Sequence, residues 1–118
     1  MEQHVITKAI GTHGLWKARL RRAVETGASE FAAEQVRLDN ACDFGRWLWA
    51  LPAAEKGSPA FERVRALHAE FHREAAVVLA LVEAGRSDEA KQAIAPKSRF
   101  ENLTADLTRA LIQWDKAA

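Results

Sequence analysis

The chain carries one cysteine and four histidines, and these are the residues whose types and spacing offer chemistry. Cys42 stands in Asn40-Ala41-Cys42-Asp43-Phe44-Gly45-Arg46-Trp47. A helix is expected to begin there, with Asp39 or Asn40 as its N-cap and Cys42 in the first turn. Free N–H groups and the positive end of the helix dipole favour a thiolate at that position, the form that a metal or an oxidant uses. His68 and His72 are four residues apart, so on a helix both rings point the same way. His13 lies on another apolar stripe. Together His13, Cys42, His68 and His72 make a His3Cys set, tetrahedral nitrogen and sulfur donors of the kind zinc takes. With all four positions filled by protein, no coordination site remains for water or substrate, which argues against a hydrolytic centre.

Each of these residues also has a plainer reading. A lone cysteine is commonly a small buried core residue, and a single core histidine is usually just packed and hydrogen-bonded. Three core-facing histidines are harder to treat that way, because burying unpaired polar groups costs about 1–3 kcal/mol each. The fourth, His4, is expected in a frayed N-terminus, solvated. Other metals fit less well. A di-iron bundle needs several inward carboxylates, whereas Glu62, Glu70, Glu74 and Glu83 fall mostly off the apolar stripe. A covalent haem would need a Cys-x-x-Cys-His attachment site, and the sequence has none.

The elements that must position these residues are helices. At 118 residues the chain fits one domain, 1–118, able to bury a core without a disulfide or metal. The first helix runs from about His4 to Thr26. Ile6, Ile10, His13, Leu20 and Val24 recur at helical spacing with Trp16 beside them, while Lys8, Lys17, Arg19, Arg21 and Arg22 lie mostly off that stripe. Gly11 and Gly14 flank His13, either to admit another backbone or simply tolerated, and Gly27 is the C-cap. Ala28–Leu38 reads as a loop or a frayed turn. The second helix runs from about Asn40 to Leu51, buried through Phe44, Trp47, Leu48 and Leu51 and stopped by Pro52. Ala53–Gly57 is a connector.

Ser58-Pro59 opens the third helix with Ser58 as N-cap and Pro59 at the first helical position. Phe61, Val64, His68, Phe71, Ala75, Val78, Leu79 and Val82 form one stripe, ended by Gly85. Ser87 caps a short helix with Ala90, Ala93 and Ile94, which Pro96 breaks or kinks. The last helix carries Phe100, Leu103, Leu107, Leu111 and Trp114. No strand pattern or repeat is present. The expectation is all-α: an antiparallel four-helix bundle with a kinked or broken last helix.

The formal net charge of +1 gives no electrostatic case for nucleic acid or a membrane surface. No segment reaches the roughly 20 apolar residues of a membrane span, and the start lacks a signal-peptide apolar run. A single cysteine makes no internal disulfide. From these features a cytoplasmic protein is expected.

His13 followed by Trp16, then Cys42-Asp43-Phe44-Gly45-Arg46-Trp47, then His68-Ala69-Glu70-Phe71-His72 resembles the chemoreceptor zinc-binding (CZB) domain family. That family's pattern is a first-helix His, a Cys-x-x-Gly-x-Trp turn and a His-x-x-x-His pair, all present here in order. Ser98-x-Phe100 and Trp114 are also similar to the family's last helix. The resemblance implies a four-helix bundle holding one zinc through His13, Cys42, His68 and His72. It also implies a non-enzymatic sensor, attached to chemotaxis receptors or diguanylate cyclases or standing alone, with a signalling protein as partner and homodimers as a frequent state. In the cyclase-linked form zinc inhibits output, and in some receptor-linked forms the zinc-bound cysteine reacts with hypochlorous acid. This sequence shows no output domain of those forms, and is expected to be either a stand-alone member or an excised fragment. Three rivals stay open: an oxidant sensor acting through Cys42, a zinc enzyme with an open coordination position, and a structural bundle whose histidines are packing residues.

Overall fold

The computed structural model describes residues 3–29, 31–40 and 42–117, which form seven helices. They are α1 (Gln3–Thr26), α2 (Ala33–Val36), α3 (Asp43–Trp49), α4 (Ala53–Lys56), α5 (Pro59–Glu83), α6 (Ser87–Ala93) and α7 (Arg99–Ala117). No strand occurs among the described residues, so the all-α expectation holds. Among the described residues no helix is long and apolar enough to cross a membrane.

The three long helices follow the three apolar stripes. Ile6, Trp16, Leu20 and Val24 of α1 are buried, as is every apolar residue of the α5 stripe from Phe61 to Val82. Phe100, Leu103, Leu107, Leu111 and Trp114 of α7 are buried too. α5 packs along α7, and α1 lies against both. Phe71 and Phe100, fully buried, meet at 5.4 Å between ring centroids. Each such side chain contributes about 1.5–3 kcal/mol on burial, so the core does not rest on the polar cluster described below.

The helix ends follow local chemistry. Ser58 Oγ accepts the Phe61 N–H at 3.1 Å, with Pro59 in the first turn. α5 ends in a turn where Arg86 N–H donates to the Leu81 carbonyl (2.9 Å) and Gly85 N–H to that of Val82 (3.0 Å). Gly85 has φ +74°, the left-handed conformation that such a terminus requires. Because this turn closes on Arg86, α6 starts at once. Arg86 holds the N-cap position with no side-chain capping bond, and Ser87, expected as the cap, is the first helical residue. The chain between α6 and α7 holds Pro96, followed by Lys97 at φ +68°. Ser98 Oγ then accepts the Glu101 N–H at 3.3 Å.

The segment between α1 and α5 differs most from expectation. Ala28–Leu38 contains one helical turn, α2, which lies against α5. The Ala53–Gly57 connector contains another, α4. The helix expected over Asn40–Leu51 is only seven residues long, and Ala41 lies outside the described residues. Its N-cap is Cys42 itself, neither Asp39 nor Asn40: Cys42 has extended backbone and its Sγ accepts the Gly45 N–H at 3.3 Å. The backbone of α3 makes few close approaches to the long helices. Its side chains make the connection: Phe44 meets His13 and His68 edge-on at 5.8 and 5.1 Å, and Trp47 meets Trp114 at 5.9 Å.

Candidate metal centre

α1 brings His13, the start of α3 brings Cys42, and one face of α5 brings His68 and His72. One donor atom from each lies within 4.8 Å of all the others. His13, His68 and His72 are buried, and Cys42 is half-buried. All four residues singled out in the sequence therefore meet at one point. His4, expected to stand apart, is exposed near the start of α1 and is not among them.

Backbone carbonyls fix two of the ring tautomers. His13 Nδ1 is 2.8 Å from the Ala9 carbonyl, and His72 Nδ1 is 2.8 Å from the Val36 carbonyl. A carbonyl only accepts, so each Nδ1 carries the hydrogen and donates it. That leaves the Nε2 lone pairs free, and the second nitrogen of a metal-binding histidine is commonly tied in this way. His68 Nδ1 is buried with no hydrogen-bond partner. Its Nε2 lies 3.1 Å from His72 Nε2 and 3.4 Å from Cys42 Sγ, and Cys42 Sγ lies 3.6 Å from His72 Nε2.

These separations provide a test of fit. Zinc bonds of about 2.0–2.1 Å to nitrogen and 2.3 Å to sulfur, at tetrahedral angles, place two nitrogens about 3.3 Å apart and nitrogen and sulfur about 3.6 Å apart. The observed 3.1, 3.4 and 3.6 Å match those edges for His68, His72 and Cys42, and the His13 donor lies within 4.8 Å of the other three. With no carboxylate in the cluster, the set suits zinc better than magnesium or calcium, which take oxygen ligands.

The electrostatics point the same way for the rings and the opposite way for the thiol. Burial, reinforced by neighbouring histidines, pushes the His68 pKa down to about 2. Burial pushes that of His13 down to about 4 against the pull of its bond to Ala9, with the His72 charge adding to the lowering. Burial also lowers His72, opposed by the Val36 bond and Asp39. All three rings are thus neutral near pH 7, as metal ligands must be. Burial raises the Cys42 pKa more than the N–H groups of Gly45 and Phe44 lower it. This corrects the expectation that the helix start alone favours a thiolate: α3 is short, and desolvation outweighs its donors. A divalent cation in the cluster reverses that balance, since a coordinating thiol is deprotonated outright.

Three positioning features go beyond the sequence reading: the Ala9 and Val36 carbonyls and the close approach at Gly45. A Cβ on Gly45 would stand 1.8 Å from the Asp39 carbonyl oxygen. The chain can therefore fold back over the α3 start only if this residue is glycine. Ala9, one turn before His13, is readable in principle. The Val36 carbonyl reaches His72 across 36 positions and leaves no sequence signal. At Gly11 and Gly14 a Cβ would meet nothing within 4 Å, so there the reading of simple tolerance applies.

Neither the curated proteins nor the solved structures offer a match to this chain. The family model described as the chemoreceptor zinc-binding domain, CZB, does match, over residues 13–79. That span, more than half of the sequence, begins at His13 and takes in Cys42, His68 and His72; the chain belongs to the chemoreceptor zinc-binding domain family.

Proposed function

We propose that the chain is a non-enzymatic sensory module that binds one zinc through His13, Cys42, His68 and His72 and reports its occupancy to a signalling partner of the chemotaxis or cyclic-di-GMP type. The observation that carries this reading is the convergence of four donors, two of them with tautomers set by backbone carbonyls. The proposed working unit is the whole of 1–118. Within it α1, α3, α5 and α7 act as the members of an antiparallel four-helix bundle, with α6–α7 as its broken last helix. Zinc supplies a single point that ties these segments together and holds the Cys42 sulfur as thiolate. The protein's own part is to keep three neutral rings aimed at that point and to let the Cys42 turn follow it. The proposal places the module in the cytoplasm, where a free thiol persists, and admits a homodimer.

Elemental analysis of untagged protein should find one zinc per chain. His68→Ala and His72→Ala should each weaken zinc binding by about 100-fold or more, and His4→Ala should leave it unchanged. Equal effects of all three variants, or iron in place of zinc, would sink the proposal. A second reading, oxidant sensing, is favoured by one observation: half-buried Cys42 lines an open cavity. It requires hypochlorous acid to release zinc in step with Cys42 oxidation and a Cys42→Asp variant to resist that release.

A further inference from the structure

The two carbonyls that set ring tautomers in the cluster have different origins. The Ala9 carbonyl behind His13 stands one turn back on the same helix, so α1 alone places it. The Val36 carbonyl behind His72 belongs to α2, a helix of four residues. A single turn is not stable by itself, because nucleation fixes several residues for one bond. Contacts outside α2 must therefore hold it in register on α5. The Val36 side chain is buried and anchors the end beside His72. At the other end Ala32, the N-cap residue, gives α2 no side-chain bond. The cap comes from α5 instead: Glu83 Oε2 accepts the Ala33 N–H at 3.1 Å, across 50 positions of sequence. Glu83 and His72 are about three turns apart on α5, so they leave the same face of that helix, roughly 16 Å from each other along its axis. α2 spans the interval, with its first N–H on Glu83 and its last carbonyl on His72.

We propose that Glu83 is a positioning residue for the metal centre and acts through α2. Its carboxylate fixes the register of α2 on α5. That register sets the Val36 carbonyl against His72 Nδ1 and keeps the Nε2 lone pair aimed at the cluster. A carboxylate at a helix start satisfies an N–H that no helical carbonyl can reach, and it suits the positive end of the peptide dipoles. Glu34, the acidic residue in the first turn of α2 itself, is exposed and bonded to Arg37. This role rests on the reading of the four donors as a zinc site. Linkage makes it reciprocal: whatever factor the Glu83 bond adds to zinc affinity, zinc adds to the Glu83 bond. Occupancy is thus felt at the far end of α2.

The test measures zinc affinity by competition against a chelator of known affinity, in the full chain and its variants, at a temperature where circular dichroism shows all of them folded. Glu83→Ala should weaken zinc binding by about fivefold, the size of one helix cap. Glu83→Gln keeps an acceptor oxygen and should stay within about twofold of wild type. Glu34→Ala removes a carboxylate from α2 itself and should also stay within about twofold. Ala33→Pro deletes the N–H at the first helical position, where proline suits a helix. In that background Glu83→Ala should change nothing further, since both substitutions remove the same bond. Nitrogen-15 NMR of the zinc-free chain adds a readout that plain stability does not move. Glu83→Ala should speed solvent exchange of the His72 Nδ1 hydrogen by about fivefold and leave that of His13, held within α1, unchanged. Equal losses from Glu83→Ala and Glu83→Gln would mean a charge effect and overturn the proposal. Equal losses from Glu83→Ala and Glu34→Ala, or a full Glu83→Ala loss in the Ala33→Pro background, would do the same. So would a lower melting temperature with zinc affinity and His72 exchange unchanged, the mark of a purely structural carboxylate. If wild type binds no zinc, the reading of the site fails, and the His72 hydrogen still decides whether Glu83 acts on that ring. If zinc binds and Glu83→Ala matches wild type, only the role of Glu83 falls.

Discussion

The metal cluster is built from two unlike halves. His68 and His72 sit one turn apart on α5, a helix of 25 residues buried along its length against α7. Their spacing and direction are consequences of the helix itself, and the core holds that helix with or without a cation. Cys42 caps a seven-residue helix whose backbone makes few close approaches to the long helices. It is placed by one N–H bond from Gly45, by the Asp39 carbonyl packed over Gly45, and by the rings of Phe44 and Trp47. His13 is intermediate, on a long helix but facing the α3 side chains. One half of the site is thus fixed by the fold, and the other half depends on what the site holds. A domain that reports occupancy needs that asymmetry: a segment responds to a ligand only if its own contacts leave its position undecided.

The most direct way to break this comparison is to take the metal away. A ligand that binds only the folded state stabilises it by about 4 kcal/mol at a thousandfold excess over Kd. Chelation should therefore lower the melting temperature markedly. Because α1, α5 and α7 share an apolar core that extends well beyond the cluster, far-UV circular dichroism below the new transition should stay close to that of the zinc form. Hydrogen exchange should rise in the Phe44–Trp49 amides and stay low in the middle of α5. Loss of helicity throughout on chelation would show that the two halves are not independent.

Gly45 sharpens the comparison from the side of the weak half. A Cβ there meets the Asp39 carbonyl oxygen at 1.8 Å, far inside contact distance, and backbone cannot rotate away as a side chain would. Gly45→Ala should push the turn off α3, move Cys42, and weaken zinc binding by about 100-fold, at the upper end of what loss of ligand positioning costs. The α5–α7 core should be untouched. Gly14→Ala serves as the control. It lies in α1 beside His13 with open space around it, and should stabilise the helix by about 1 kcal/mol with unchanged zinc affinity. Equal effects of the two substitutions would mean that Gly45 does not position Cys42.

How much of this is legible in the sequence follows the same division. The α5 stripe, with two histidines on its buried side, is readable because a long helix turns spacing directly into direction. The four-residue donor set is readable for the same reason, helped by the Cys-x-x-Gly-x-Trp pattern. The extent of α3 is not. Phe44, Trp47, Leu48 and Leu51 have helical spacing, but Pro52 keeps Leu51 out of the helical region, and the helix ends at Trp49. The cap falls on Cys42 because a thiol can take the place of an Asp or Asn oxygen at an N-cap. The charge state of Cys42 departs from expectation because burial is a property of the fold. The Val36 carbonyl behind His72 depends on where a one-turn helix lands, which periodicity does not report.

The two tryptophans of α3 give the finest test. Trp47 is half-buried, with its ring stacked on Phe44 at 5.7 Å and tilted against Trp114 of α7 at 5.9 Å. Phe44 in turn touches the His13 and His68 rings. Trp47 is therefore the side chain that ties the Cys42 half of the site, through α7, to the well-packed half. Two positions on, Trp49 is 49% exposed, and the Lys56 ammonium stands 6.0 Å from its ring centre, a distance at which a solvated cation–π pair is worth well under about 1 kcal/mol. Trp47→Ala should weaken zinc binding by about 10-fold, the lower end of positioning effects. Trp49→Ala should change it by less than about twofold, within the range of ordinary surface substitutions. Competition against a chelator of known affinity measures both. If the Trp49 variant loses as much as the Trp47 variant, α3 as a whole helix sets the position of Cys42. The aromatic bridge from Phe44 through Trp47 to Trp114 would then be only packing.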